Sequence, residues 1–122
     1  MKILLSMIFL AIADDFYLQP IILAKLKQAK FYKGASIIYK YDYVASLFIH
    51  AFSWTFMMML PLFYNLKKQE EIVFIALFWI NVFVHAFADN AKCNAKMISL
   101  KTDQLIHIIQ IILTFIIFKV LV

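Results

Sequence analysis

The chain has 122 residues, 66% of them apolar and 16% charged, whereas soluble domains run at about 45–50% and about 25%. All of its basic charge is lysine, giving a formal net charge of +5, and one Gly and two Pro supply little turn chemistry. These values exclude an ordinary soluble domain, and the long continuous apolar runs exclude a β-barrel of short alternating strands.

The length admits about four spans of roughly 20 residues each, so the expected fold is all-α. It is a polytopic membrane protein with four transmembrane helices in one compact domain, residues 1–122. The first expected span covers residues 3–25, with Asp14, Asp15, Gln19 and Pro20 in its second half. Met1-Lys2, the apolar run and Ala11-Ile12-Ala13 also fit a signal peptide, although cleavage there would discard the helix leading into Asp15. A basic linker follows, with Lys25, Lys27, Lys30, Lys33 and Lys40 among Tyr32, Tyr39 and Tyr41. Aromatic rings and long amines together mark a headgroup zone, which makes this linker a surface-associated segment.

The second span, residues 43–64, carries His50 and ends near Pro61. A short polar turn, Asn65–Glu71, leads into the third span, residues 72–91, with His85 and Asp89. Residues 92–102 form a second basic connection, and residues 103–122 form the fourth span, opening with Asp103, Gln104 and His107. Eight lysines fall in the two connections after spans one and three, against Lys2, Lys67, Lys68 and Lys119 on the other side. Lysine excess marks the cytoplasmic face of an inner membrane, so both basic linkers are expected inside and both termini outside. Lysine facing anionic lipid accounts for the net charge, and no nucleic-acid partner is expected. Cys93 is the single cysteine and has no disulfide partner.

This topology brings Asp15, Gln19, His50, His85, Asp89, Asp103 and His107 to one depth, within roughly 10–12 Å of the cytoplasmic boundary. Asp15 and Gln19, His85 and Asp89, and Asp103 and His107 are each four residues apart, so each pair shares a helix face. Asn81 and Gln110 extend two of these stripes outward. An ionisable group inside a bilayer costs about 2.5–3.5 kcal/mol on insertion scales, and six of them at one depth mark a site.

Asp15-Phe16 with Gln19, then His50, then His85-x-x-x-Asp89-x-x-Lys92, then Asp103-Gln104-x-x-His107 resembles, in that order, a family of small bacterial and phage membrane proteins catalogued as domain of unknown function 3307. The resemblance covers nearly the whole chain and implies an architecture and a set of site residues but no activity. Its members usually have His four residues before the first Asp, where this chain has Ala11.

The cluster supports three readings. Imidazole and carboxylate on facing helices suit a divalent transition metal such as Zn, Mn or Fe. His85, Asp89, Asp103 and His107 are then the expected ligands, with Gln19 and Gln104 orienting them. Asp15 or His50 would be the spare base, and Lys92 would meet an anionic headgroup. In that case the chain is a metal-dependent hydrolase acting on a lipid-like substrate that enters sideways from the leaflet. Alternatively the same residues form interhelical polar glue, or an Asp/His relay that translocates protons or ions. Pore-forming or scaffold roles, through a homo-oligomer or a partner membrane subunit, complete the non-enzymatic alternative.

Overall fold

The computed structural model describes residues 1–122, which are all-helical apart from turns and loops. Helix α1 (Lys2–Ala13) buries Met7 and Ala11 and runs on into a π-helical turn, Asp14–Leu18. The Gln19 N–H closes that turn on the Asp14 carbonyl at 2.9 Å, five residues back where an α-helix reaches four. Pro20 forces the preceding residue out of the helical region, and Gln19 is extended, with ψ 116°. The chain restarts as the short α2 (Ile21–Leu26). The single helix expected over residues 3–25 is therefore two pieces jointed at Pro20.

Three long helices follow: α3 (Asp42–Phe63), α4 (Glu71–Cys93) and α5 (Leu100–Leu121). They lie within a few residues of the second, third and fourth expected spans. Polar side chains fix two of their starts. Ahead of α4 the Lys67 N–H donates to Glu70 Oε2 at 3.0 Å, and at α5 the Ser99 hydroxyl accepts from the Thr102 N–H at 3.2 Å. The segments Ile37–Phe63, Lys68–Cys93 and Leu100–Leu121 are long and apolar enough to cross a membrane. The 12 residues of α1 and five of its π turn fall short of the roughly 20 that a span needs.

Helix α3 packs on α1 and α4, and α5 packs on α4 and α1, so the four helices close a ring. Its interior is unusually polar. Of 27 buried residues, 13 are polar or charged, while Ile49, Phe52, Trp79, Ile80, Phe83 and Phe87 face outward. Water-soluble folds distribute these classes the other way. The buried ionisable residues other than Glu70 gather at the end where α3 and α5 begin; the far half is filled mainly by Met7, Met58, Met59, Leu62, Ile111 and Phe118. Met58 and Met59, with Trp54, are thus core packing and not outer surface, whereas Phe56, Phe63 and Trp79 are exposed.

Candidate metal centre

Asp89 is the hub of the polar end. Its carboxylate lies against the Nε2 atoms of three imidazoles from three helices. His50 is 3.6 Å from Oδ2, His85 is 3.8 Å from Oδ2, and His107 is 3.8 Å from Oδ1. All three rings are buried. They reach one place because His50 lies two turns into α3, His85 and Asp89 share one face of α4, and Asp103 and His107 share one face of α5.

The rings are held by stacking. The Trp54 indole lies on His85 at 4.3 Å between centroids and 27°, and His85 lies on His107 at 4.1 Å and 19°. Stacking occupies ring faces and leaves the in-plane nitrogens free. Both nitrogens of His85, both of His107 and Oδ1 of Asp103 are buried without a hydrogen-bond partner. Native interiors rarely leave so many polar atoms unmet, because each costs about 1–3 kcal/mol. His107 Nε2 is 3.3 Å from Asp103 Oδ1 but off the line that a hydrogen bond needs.

Two lysines complete the centre. Lys27 is buried, and its Nζ donates to Asp89 Oδ2 at 2.6 Å and to Gln19 Oε1 at 3.0 Å. Lys92 donates to Asp103 Oδ2 at 2.7 Å and lies 3.5 Å from Asp89 Oδ1. The lysines thus take the Oδ2 oxygens of Asp89 and Asp103. Both Oδ1 oxygens face His107, and that of Asp89 is also within 3.5 Å of Lys92. Lys92 is consequently tied into the centre and does not reach outward to a headgroup as the sequence had suggested.

On the α1 side, His50 sits between two carboxylates. Its Nε2 is 3.2 Å from Asp15 Oδ1, its Nδ1 is 3.8 Å from Asp14 Oδ2, and Asp14 Oδ1 accepts from the Ser53 hydroxyl at 2.7 Å. The wider π turn turns the adjacent Asp14 and Asp15 both toward α3. Two trios place ligand atoms within 4.8 Å of one another and can hold a metal ion: His85, Asp89 and His107, and Asp15, His50 and His85. Two donors bound at about 2.1 Å to one tetrahedral ion lie about 3.4 Å apart, close to the spacings of 3.2–3.8 Å around His50, Asp89 and His107.

No protein-family model matches the chain, and no curated protein or solved structure matches it either. The geometry therefore carries the functional argument. It brings together Asp15, His50, His85, Asp89, Lys92, Asp103 and His107. Gln19 reaches the centre only through Lys27, and Gln104 only grazes Asp103 Oδ2, at 3.4 Å. Sequence reasoning missed Asp14, Lys27 and Trp54. The consecutive Asp14-Asp15 ahead of Pro20 was a usable signal for the first. Nothing local distinguished Lys27 from its solvated neighbours. It is buried because Asn94 pins the linker to α4: Oδ1 accepts from the Ala29 N–H at 2.6 Å and Nδ2 donates to the Lys27 carbonyl at 3.0 Å.

A second polar cluster lies deeper. Asn81, Gln110 and Thr114 are buried and bonded across α4 and α5, with Asn81 Nδ2 donating to Thr114 Oγ1 at 2.8 Å and Gln110 Nε2 to the Asn81 carbonyl at 2.9 Å. It joins two helices. A separate cleft of about 130 Å³ lies between α1 and α5, with Asp15, Gln104 and His107 in its wall and Ile12, Phe16 and Ile108 exposed at its rim. Ala11 lines this cleft beside His107, so a small side chain there keeps open the space next to the imidazole.

Proposed function

We propose that this chain is an integral membrane protein that binds one divalent transition-metal ion in its His/Asp centre and hydrolyses a lipid-like substrate there. The resemblance to domain of unknown function 3307, the inner-membrane location and the cytoplasmic placement of the basic linkers belong to the same proposal. The observation that carries it is the set of unmet buried nitrogens on His85 and His107, beside an Asp103 Oδ1 that no hydrogen bond meets and an Asp89 Oδ1 that Lys92 approaches only to 3.5 Å.

Charge supports a divalent ion. Four carboxylates, Asp14, Asp15, Asp89 and Asp103, face only two ammonium groups, Lys27 and Lys92. With neutral imidazoles the cluster carries two excess negative charges in a low-dielectric interior, where uncompensated charge is costly, so either protons on the imidazoles or a bound cation must supply the balance. A divalent cation held by His85, His107 and the Oδ1 atoms of Asp89 and Asp103 would close that balance with both lysine pairs intact. Zn, Mn and Fe suit such a donor set.

Bound there, the ion would supply a Lewis acid and an acidified water. His50, placed between Asp14 and Asp15, is positioned to take the water's proton and pass it to the leaving group. Gln104 and Asp15, in the cleft wall, orient an ester or phosphoryl group that enters between α1 and α5. Lipid is the natural source of such a group, because the cleft rim is apolar.

Elemental analysis of the detergent-purified protein tests the centre: about one divalent ion per chain is expected. His85→Ala and His107→Ala should lose it. His50→Ala should keep the metal and lose hydrolysis of fluorogenic lipid esters by 10²-fold or more. Folded protein that neither contains nor takes up Zn, Mn or Fe would overturn the proposal. One observation favours a non-enzymatic relay or structural network: Asp89 and Asp103 each already hold a lysine. Under that reading chelators leave thermal stability unchanged, and Asp103→Asn abolishes proton flux in vesicles while the fold persists.

A further inference from the structure

The largest cavity in the molecule, about 570 Å³, lies away from the metal centre, in the linker between α2 and α3. Its wall contains Lys30, Lys33 and Lys40 together with Tyr32, Tyr41 and Tyr43, and no acidic residue. None of these lysines is in an ion pair, whereas Lys27 and Lys92 both are. Three free ammonium groups around one concavity repel one another unless an anion joins them. The cup is built by local structure. Turns close through Lys33 N–H to the Lys30 carbonyl and Ala35 N–H to the Tyr32 carbonyl, and Gly34 supplies the required positive φ of 86°. Asn94 and the Tyr32 hydroxyl, which donates to the Leu26 carbonyl at 3.2 Å, fasten its near edge.

Apolar side chains surround the cup. Ile37 is 82% exposed and Ile38 71%, and Phe31, Tyr39 and Tyr41 are exposed beside them. A basic hollow roomy enough for a whole lipid headgroup, ringed by protruding Ile, Phe and Tyr, matches the boundary between headgroups and acyl chains. It also sits where the membrane-length segment Ile37–Phe63 begins. Nucleic acid or an acidic peptide would bring no apolar partner for that rim.

We infer that this cup is a binding site for one anionic glycerophospholipid, with Lys30, Lys33 and Lys40 around its phosphate and the exposed rim among its acyl chains. The inference does not depend on the metal centre. Tyr41 and Tyr43 offer hydroxyls to the headgroup, and Lys40, 5.4 Å from the Tyr41 ring centroid, is partly oriented by that ring. Asp42 is adjacent in sequence but does not line the cavity, so the anion meets no opposing carboxylate there.

Native mass spectrometry of the full chain in dodecylmaltoside, titrated with dioleoylphosphatidylglycerol or dioleoylphosphatidylcholine, tests this. One phosphatidylglycerol per chain should bind at least tenfold more tightly than phosphatidylcholine. The triple variant K30Q/K33Q/K40Q should lose that preference, and K33Q alone should weaken binding about threefold. K67Q/K68Q, at the other end of the bundle, should leave it unchanged. Lys30, Lys33 and Lys40 are exposed and unpaired, so circular dichroism should report an intact fold for the triple variant. Equal loss in K67Q/K68Q, unchanged binding in the triple variant, or full displacement of the lipid by equimolar inorganic phosphate would each overturn the assignment.

Discussion

Asp89 accepts from Lys27 on Oδ2 and turns Oδ1 toward His107 and Lys92, and this division has a measurable consequence. Removing the ammonium while keeping the carboxylate strands a buried charge, a change worth about 3–5 kcal/mol. Lys27→Met should therefore lower the melting temperature strongly in chelator and less so with excess divalent metal, as thermal unfolding monitored by circular dichroism would show. Equal loss with and without metal would detach Lys27 from the metal-binding role of the centre. Trp54 supports the imidazoles by stacking alone, so Trp54→Ala should cost about 3–5 kcal/mol as a core cavity and weaken metal affinity by loosening His85. At this scale the sequence was informative where periodicity acts. His85 with Asp89 and Asp103 with His107 were readable because spacing of four fixes a common face. Lys27 was not readable, because its burial depends on contacts 62 to 67 residues away.

The π turn and Pro20 joint determine where the linker goes. A helix continuing straight through position 20 would carry Lys27 along the α1 axis and away from Asp89. The bend returns the chain across the end of the bundle, and Asn94 fastens it to α4. Asn94→Ala leaves the Ala29 N–H without its partner, a loss of about 1–3 kcal/mol. Trypsin should then cut at Lys25, Lys27 and Lys30 several-fold faster than in the parent protein, with the α3–α5 core still resistant. Unchanged cleavage would show that the linker is held by other contacts. Hydropathy located α3, α4 and α5 because each is a long uninterrupted apolar run. The break in the first helix was less legible, since proline is tolerated inside membrane helices when neighbours satisfy the freed backbone groups. Here the π turn and an extended Gln19 resolve it as a joint.

For the molecule as a whole, a polar interior under an apolar exterior suits lipid as the solvent, and the lysine bias is the basis of the proposed orientation. In a Cys93→Ala background, a single cysteine at Ser36 should react with an impermeant thiol reagent from one side of sealed vesicles, and one at Gln69 from the other. Both positions are exposed. Labelling of both from the same side would refute the alternating topology. The four-helix ring also contains unequal members. Set in a bilayer, α1 and its π turn span about 25 Å, against about 33 Å for each partner, so they cannot match the same hydrocarbon thickness. In the proposed setting, lipids beside α1 would thin to meet it, one of the ways a bilayer accommodates a short helix. Under the proposed membrane setting that dip would fall where α1 ends at Asp14 and Asp15, and would bring the ester-bearing layer of the leaflet toward the opening beside His107. The shortest helix would thereby shape the surrounding membrane and present its reactive groups to the centre.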